Sequence, residues 1–394
     1  MLKGKCIVVG VCGGIAAYKA CEAVSCLKKL GAEVYVIMTK SALEFVRPLT
    51  LQTLSQNIVV TDMFEPFQKW EVEHIALAKK AHCFLIVPAT ANIIGKMAHG
   101  IADDMLSTTV MATKSPVIVA PAMNTSMYEN AVVQENIKKL EALGILFVEP
   151  TCGRLACGDV GKGHLASVED IVEVVVQTVA YPQDLKGQTV LVTAGPTRES
   201  LDPVRFLTNH ASGKMGIAFA NAAKRRGAHV ILVSVPMAQI IGVQHVFVQT
   251  AQQMYDAVLA HFEASDIVVK AAAVGDYRFE TMHAQKLKKS DGTLTLNMVK
   301  NPDILKALGA QKTHQKLVGF SMETEHLEQF AQAKLTDKNV DLMVANDVTQ
   351  EGAGFGVDTN VVKLFYKNGI SEALPLMTKD EVAHEVLNRI LTIT

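Results

Sequence analysis

Three side-chain groups in this 394-residue chain are chemically suited to proton transfer or to meeting concentrated negative charge. His74 lies in Glu71-Val72-Glu73-His74-Ile75. Its imidazole, with an ordinary pKa of about 6.5, suits a proton shuttle at neutral pH; the plainer alternative is a solvated surface histidine beside two glutamates. Cys157 lies in a glycine-dense stretch with Cys152, Gly153, Gly158, Gly161 and Gly163, a composition that predicts a flexible flap. A thiol near Arg154, Lys162 and His164 is suited to act as an acid near neutrality. A disulfide with Cys152 or a metal site are the alternatives, and no partner Cys or His pair stands at zinc spacing. Lys286-Leu287-Lys288-Lys289 follows Asp276-Tyr277-Arg278. A lysine run is usually solvated surface, but it also suits the charge that develops when a triphosphate activates a carboxylate.

Small and polar residues at the ends of apolar runs supply the rest. Gly10-Val11-Cys12-Gly13-Gly14-Ile15 closes one run, and its glycines let main chain approach a phosphate at a helix N-terminus. The spacing is not G-x-G-x-x-G, and the next run ends in Met38-Thr39-Lys40 without the acid that holds an adenosine ribose. Both features count against a nicotinamide dinucleotide and leave a mononucleotide such as FMN open. Thr90-Ala91-Asn92, Ser107-Thr108 and Ala122-Met123-Asn124 end or follow later runs. Their hydroxyls and amides suit a phosphate and a flavin ring, or else ordinary capping and turns. In the second half Ser212 reads as a helix N-cap before Gly213-Lys214, without a Walker loop. Gly352-Ala353-Gly354-Phe355-Gly356 reads as a flexible loop.

The elements that must hold these residues alternate in type. Apolar runs at 5–11, 33–38, 83–89, 116–122 and 145–149 read as strands, separated by amphipathic helices such as the one from Gly13 to Leu30. The pattern lapses at 181–187 and restarts at 189–195, with further strands at 229–235, 266–273 and 342–347. A late strand pair is expected near 361–367 and 371–376, with a closing helix near 378–392 and an alternating stretch at 294–300. Continuous apolar strands between helices imply parallel sheets covered on both faces, so two doubly wound α/β domains are expected, at 1–180 and 187–394. A hydrophobic share of 49% supports large cores, and a net charge of −1 gives no reason to expect nucleic acid. No apolar run approaches the ~20 residues of a membrane helix. The start lacks the pattern of a secretory signal. Seven cysteines, all between Cys6 and Cys157, read as reduced thiols in a cytoplasmic protein.

Taken together and in order, GGIAAYK (13–19), His74-Ile75, PATAN (88–92), PAMN (121–124) with Met127, and ACGD (156–159) resemble the cysteine-decarboxylating flavoproteins. TAGPTRE (193–199), NHASGKMG (209–216), AAAVGDY (271–277), KLKK, KNPDI (300–304) and VANDV (344–348) resemble phosphopantothenate–cysteine ligases. Almost the whole chain thus resembles the bacterial bifunctional phosphopantothenoylcysteine decarboxylase/phosphopantothenate–cysteine ligase family. The resemblance implies a flavodoxin-like domain followed by a Rossmann-like one. It implies FMN held by Gly13, Gly14, Ile15, Thr39, Thr90, Ala91, Asn92, Ser107, Thr108 and Ala122. His74 would be the base, Asn124 the group on the substrate carboxylate and Cys157 the proton donor. Oxidation of the cysteinyl thiol to a thioaldehyde would provide a sink for the electrons left by CO2. In the ligase, Asn209 and Lys286 would form the acyl-nucleotide. The nucleotide would lie on Lys270, Ala271, Ala272, Asp276, Lys286, Asn301, Pro302, Asp303, Ile304, Phe320, Lys334 and Lys338. The implied substrates are 4'-phosphopantothenate, cysteine and CTP with Mg2+, the metal ligands being unassigned. The implied assembly is a homo-oligomer, a dodecamer of trimers and dimers. Tyr128, Ala211 and Gly275 stand where relatives have tryptophan, serine and alanine. A non-catalytic, regulatory FMN-binding relative would lack the flap thiol. A flavin prenyltransferase would leave the second half unexplained.

Overall fold

Valine and isoleucine concentrate in runs of five to seven residues, too short for stable helices and well suited to strands buried on both faces. In the computed structural model, which describes residues 1–63, 73–154, 160–288, 293–323, 327–347, 354 and 356–393, these runs form the centres of two sheets. The chain divides into two units, Met1–Pro182 and Gln183–Thr394.

The first unit contains β1 (Cys6–Val11), α1 (Ala17–Lys29), β2 (Glu33–Met38), α2 (Pro48–Ser55), β3 (Val59–Val60), α3 (Glu73–Lys80), β4 (Cys83–Ala89), α4 (Ala91–His99) and α5 (Met105–Ala112). It continues with β5 (Val117–Pro121), α6 (Thr125–Tyr128), α7 (Ala131–Ala142), β6 (Leu146–Phe147), the hairpin strands β7 (Thr151–Arg154) and β8 (Val160–His164), and α8 (Val168–Val179). The parallel sheet runs β3-β2-β1-β4-β5-β6. Along β1, Ile7, Val9 and Val11 enter one core with α1 and α8, while Val8 enters the other with Ile94 and Leu106. Each fully buried aliphatic side chain contributes ~1.5–3 kcal/mol. The strand order reverses between β1 and β4, so the crevice beyond their carboxyl ends is the expected ligand position.

The second unit contains β9 (Thr189–Ala194), β10 (Arg198–Ser200), β11 (Phe206–Thr208), α9 (Lys214–Arg225), β12 (His229–Ser234), β13 (Gln244–Phe247), α10 (Ala251–Phe262) and β14 (Ile267–Lys270). Then come β15 (Tyr277–Phe279), β16 (Met298–Lys300), α11 (Ile304–Gln311), β17 (Lys316–Glu323), α12 (Leu327–Asp337) and β18 (Leu342–Asp347). The unit closes with β19 (Thr359–Asn360), β20 (Val362–Tyr366), β21 (Ser371–Ala373), β22 (Met377–Thr378) and α13 (Lys379–Thr392). Its eight-stranded sheet runs β13-β12-β9-β14-β17-β18-β20-β21. The first six strands are parallel, and the late pair, β20 and β21, is added antiparallel at the edge. The order reverses between β9 and β14. Among the described residues no helix is long and apolar enough to cross a membrane.

Candidate active sites

In the first unit, the turn after β1 packs against the end of β2. A Cβ on Gly13 would lie 2.6 Å from the Ser41 carbonyl carbon and oxygen, so only glycine fits there. A Cβ on Gly14 would meet the Thr90 methyl at 3.8 Å, which places Thr90 across the β1/β4 crevice. Thr90 precedes α4 without capping it through its side chain, Ala91 begins that helix, Asn92 is exposed on it, and Ile15 is also exposed. Ala122 donates its N–H to Ala89 at the end of β4. Leu106 covers Gly10, where a Cβ would come within 2.4 Å of its side chain, so α5 lies over the carboxyl end of β1.

That placement separates two hydroxyls the sequence leaves equivalent. Asp104 caps α5 by accepting from the Ser107 N–H at 2.8 Å and its Oγ at 2.9 Å, and Ser107 Oγ accepts from the Asp104 N–H at 3.1 Å. Lys96 holds the same carboxylate at 2.7 Å, and burial opposes the ionisation that these bonds favour, leaving Asp104 below its usual pKa. The Ser107 hydroxyl is therefore occupied by the capping box. By contrast, Thr108 Oγ1 and Thr39 Oγ1 are buried and have no hydrogen-bond partner among the described residues. A buried hydroxyl left unpaired costs ~1–3 kcal/mol, and two of them beside a glycine turn fit a heterocycle rich in hydrogen-bonding atoms.

Asn124 caps α6, its side chain accepting from the Ser126 N–H at 2.9 Å. The β7–β8 hairpin folds against this turn: Met123 donates to the Gly163 carbonyl at 3.0 Å. A Cβ on Gly161 would meet Thr125 at 2.7 Å. Cys157 falls in 155–159, between these two strands and outside the described residues. His74 is half-buried in the first turn of α3, which packs on α5.

In the second unit, a cavity of ≈ 330 Å3 opens where β9 and β14 part, with Gly195, Asn209 and Asp276 in its lining. Main-chain and hydroxyl bonds knit its floor. The Ala273 N–H reaches the Gly195 carbonyl at 3.1 Å, Ala272 N–H donates to Thr193 Oγ1 at 3.1 Å, and Gly275 N–H to Thr197 Oγ1 at 2.9 Å. Asn209 donates its amide to the Ala273 carbonyl at 3.2 Å. One expectation is corrected: Gly213, not Ser212, is the N-cap of α9. It has φ of 77° and lies so close to Gly195 that a Cβ would come within 3.1 Å of the Gly195 main chain. That left-handed, crowded position favours glycine over a side-chain cap.

Of the expected nucleotide residues, Ala271, Ala272, Asp276 and Phe320 line the same opening. Asn301 donates to the Gly275 carbonyl at 2.8 Å and precedes Pro302. Asp303 caps α11, which begins at Ile304, and pairs with Lys338 at 2.9 Å. Lys334 donates to Ser321 at 3.4 Å, and Phe320 meets Phe219 edge-on at 5.6 Å. Burial, then the like charge of Lys338, pulls the Lys270 ammonium down to about 8. Lys286 is exposed, but its neighbour Leu287 is fixed, donating its N–H to Asp202 Oδ2 at 3.2 Å. Hydrogen bonds from Arg205 hold that buried carboxylate well below the usual range. Among the described residues no group of three His, Cys, Asp or Glu side chains is placed to hold a metal. A single carboxylate, Asp276, in the cavity fits a Mg2+ that arrives on a triphosphate and keeps much of its water. Ser321, Asn346, Asn360 and Lys379 also line the cavity. Sequence reasoning gave none of them a role: Asn346 stands within VANDV but was not singled out, and Ser321, Asn360 and Lys379 lie far apart along the chain and form no motif.

A family model described as Flavoprotein matches residues 1–180, and one described as DNA/pantothenate metabolism flavoprotein C-terminal domain matches residues 185–393. The chain is 49% identical to the coenzyme A biosynthesis bifunctional protein CoaBC of Bacillus subtilis, over 100% of this chain and 98% of that one. It is 44% identical to the protein of the same name from Escherichia coli, over 99% and 98%. A solved C-terminal domain of a CoaBC is 43% identical, with a TM-score of 0.46, covering 53% of this chain and 96% of that one. A PPC decarboxylase complexed with pantothenoylaminoethenethiol is 33% identical, with a TM-score of 0.40, covering 43% and 96%. Matched along its whole length and by a family model in each half, the chain belongs to the family of coenzyme A biosynthesis bifunctional proteins.

Proposed function

We propose that this bifunctional enzyme of coenzyme A biosynthesis joins cysteine to 4'-phosphopantothenate using CTP in its second unit, then decarboxylates the product on FMN in its first. The observation carrying this reading is that each unit gathers polar groups at the point where its own strand order reverses. One crevice holds unpartnered hydroxyls and a glycine turn, the other lysines and a carboxylate. FMN, when bound, supplies a reversible two-electron acceptor. Gly13 and Gly14 admit main chain to its phosphate, while Thr39 and Thr108 offer hydroxyls to it. Asn124 orients the substrate carboxylate, His74 removes a proton and Cys157 returns one.

In the ligase, Asn209, anchored on Ala273, faces the carboxylate that becomes the acyl-cytidylate. Lys286, held through Leu287, offsets the charge growing on the departing pyrophosphate. Lys270, Lys334 and Lys338 meet the nucleotide's remaining charge, and Asp276 receives its Mg2+. A cytoplasmic homo-oligomer, by resemblance a dodecamer of trimers and dimers, belongs to the same proposal and is tested by sedimentation.

The decisive experiment supplies the purified chain with phosphopantothenate, cysteine and either CTP or ATP. Products are identified by mass spectrometry and the cofactor by its absorbance. Cysteine conjugate with CTP, phosphopantetheine and a flavin spectrum are expected. A colourless protein that makes neither product refutes the reading. Asn209→Asp and Lys286→Gln should abolish pyrophosphate release, and Cys157→Ser should block only the final product.

A further inference from the structure

One imidazole at the edge of the second sheet holds the loop that leads into it. In the parallel pair β12–β13, Val246 enters the core beneath α10. His245 therefore points to the other face, where its register partner Leu232 packs with α9. Phe247, two residues on, meets the His245 ring at 5.6 Å and a tilt of 35°. Residues 235–243 connect the two strands without a regular element of their own, and Met237, Ile240 and Val243 pack on the α9 core.

Few hydrogen bonds hold this loop. The Ile240 N–H donates to His245 Nε2 at 2.9 Å, the Val243 N–H to the Ile240 carbonyl at 3.2 Å, and Lys224 of α9 to the Ile241 carbonyl at 3.4 Å. A ring nitrogen that accepts carries no proton, so the Ile240 bond needs the neutral imidazole with its proton on Nδ1. Nδ1 is buried without a partner among the described residues, so the bond to Ile240 sets how the ring and the loop meet. Met237 carries that order to the ligase cavity. Its methyl lies 3.1 Å from where a Cβ on Gly195 would stand and 3.0 Å from where one on Gly213 would. Both glycines have positive φ, 83° and 77°, and both line the cavity, while Met237 backs them from outside the lining. Gly195 accepts the Ala273 N–H and Gly213 caps α9. Glycine is the least restrained of backbones, so a methyl packed across both limits their movement on this side.

We propose that His245 is a positioning residue for the ligase reaction: by holding Ile240 it seats the Met237 methyl on Gly195 and Gly213, and so keeps the floor of the nucleotide cavity in shape. The role rests on the ligase reading and adds to it a side chain that touches no substrate. It belongs to the acceptor atom rather than to the ring's bulk. Glutamine can place its Oε1 near the position of Nε2, asparagine can reach only the position of Nδ1, and leucine has no acceptor.

The test is steady-state pyrophosphate release by the full-length enzyme, with CTP varied at saturating phosphopantothenate and cysteine, beside urea unfolding of the same samples. His245→Leu and His245→Asn should raise the KM for CTP about 2- to 13-fold, the worth of one net hydrogen bond, with kcat unchanged. His245→Gln should keep the wild-type KM. Met237→Ala should raise the KM by a similar factor, and His245→Leu combined with Met237→Ala by no more than the larger single effect, because the two act in series. A histidine that merely packs would lower the urea midpoint and leave the KM of the folded enzyme alone. Met237 is half-buried on a loop, so its variant keeps the test available if a His245 variant unfolds. An unchanged CTP KM in Met237→Ala overturns the role, as do additive effects in the double variant or a glutamine variant as impaired as the leucine one. If the wild-type enzyme releases no pyrophosphate with CTP, the ligase reading fails and the role of His245 with it. If the wild type turns over and the variants match it, only the role of His245 fails.

Discussion

Thr108→Val should move two measurable quantities in opposite directions. Valine has nearly the shape of threonine and a similar helix propensity, so on α5 the change removes one hydroxyl and little else. In the cofactor-free protein that hydroxyl is buried without a partner among the described residues, and stranding it costs ~1–3 kcal/mol. The variant apoprotein should therefore unfold at a higher urea concentration, by up to that amount, or at least no lower. In the holoprotein the same hydroxyl gains a partner, and a net hydrogen bond of ~0.5–1.5 kcal/mol is lost. FMN should then bind about 2- to 13-fold more weakly. Flavin fluorescence titration of apoprotein, with urea unfolding of the same samples, reads both. Ser107→Ala is the counterpart. Its hydroxyl serves the capping box, so it should destabilise apoprotein by ~0.5–2 kcal/mol and affect FMN only through that loss. An apoprotein destabilised by Thr108→Val with unchanged FMN affinity would refute the division of labour between the two hydroxyls.

Gly13→Ala forces a Cβ to within 2.6 Å of the Ser41 main chain. It should cost ~1–3 kcal/mol of apoprotein stability and most of the bound flavin, read by urea unfolding and absorbance. Gly275→Ala should be tolerated, because the added Cβ finds its nearest neighbour at 3.5 Å. A gain of ~0.4–1 kcal/mol with unchanged pyrophosphate release is expected, and a large loss of either would show that the backbone there needs glycine. Hydrogen bonds from the buried Arg226 hold the Asp184 carboxyl below its usual range. A carboxylate depressed in the folded state stabilises above its unfolded pKa of ~3.9, and that stabilisation is lost as pH falls through the lower folded value. The stability gap between wild type and Asp184→Asn should therefore be full near pH 6 and shrink towards pH 3 by denaturant unfolding. A gap independent of pH would count against the pair.

How much of this was legible beforehand depended on how local the signal was. Most central strands were, because residues such as Val8, Val9, Phe84 and Leu85 are buried on both faces and read as unbroken apolar runs; β17, central in the second sheet, was not, because Gly319 and Ser321 interrupt its apolar residues. The short strand β3 and the hairpins β7–β8, β10–β11 and β15–β16 were not, because pairing rather than composition makes them. Phe206 and Leu207 remain exposed in such a strand. Ser212 has the chemistry of a cap, but the crowding of Gly213 on Gly195 displaced that role by one residue, and such crowding has no sequence signature. Several expected residues, among them Gly13, Gly14 and Thr90 in the first unit and Asn209, Ala272 and Asp276 in the second, stand near the strand reversals because short motifs at strand ends survive folding as neighbours. Asn346, Asn360 and Lys379 share a wall only through topology.

Gly195, Gly213 and Gly216 let α9 lie close against the end of β9: a Cβ on Gly216 would come within 2.4 Å of the Ala194 methyl and 2.7 Å of the Thr193 carbonyl oxygen. An inhibitor shaped to that floor would lean on main-chain atoms that every amino acid shares. Substitutions conferring resistance would then have to arise at the rim, among the side chains that the natural substrate also needs.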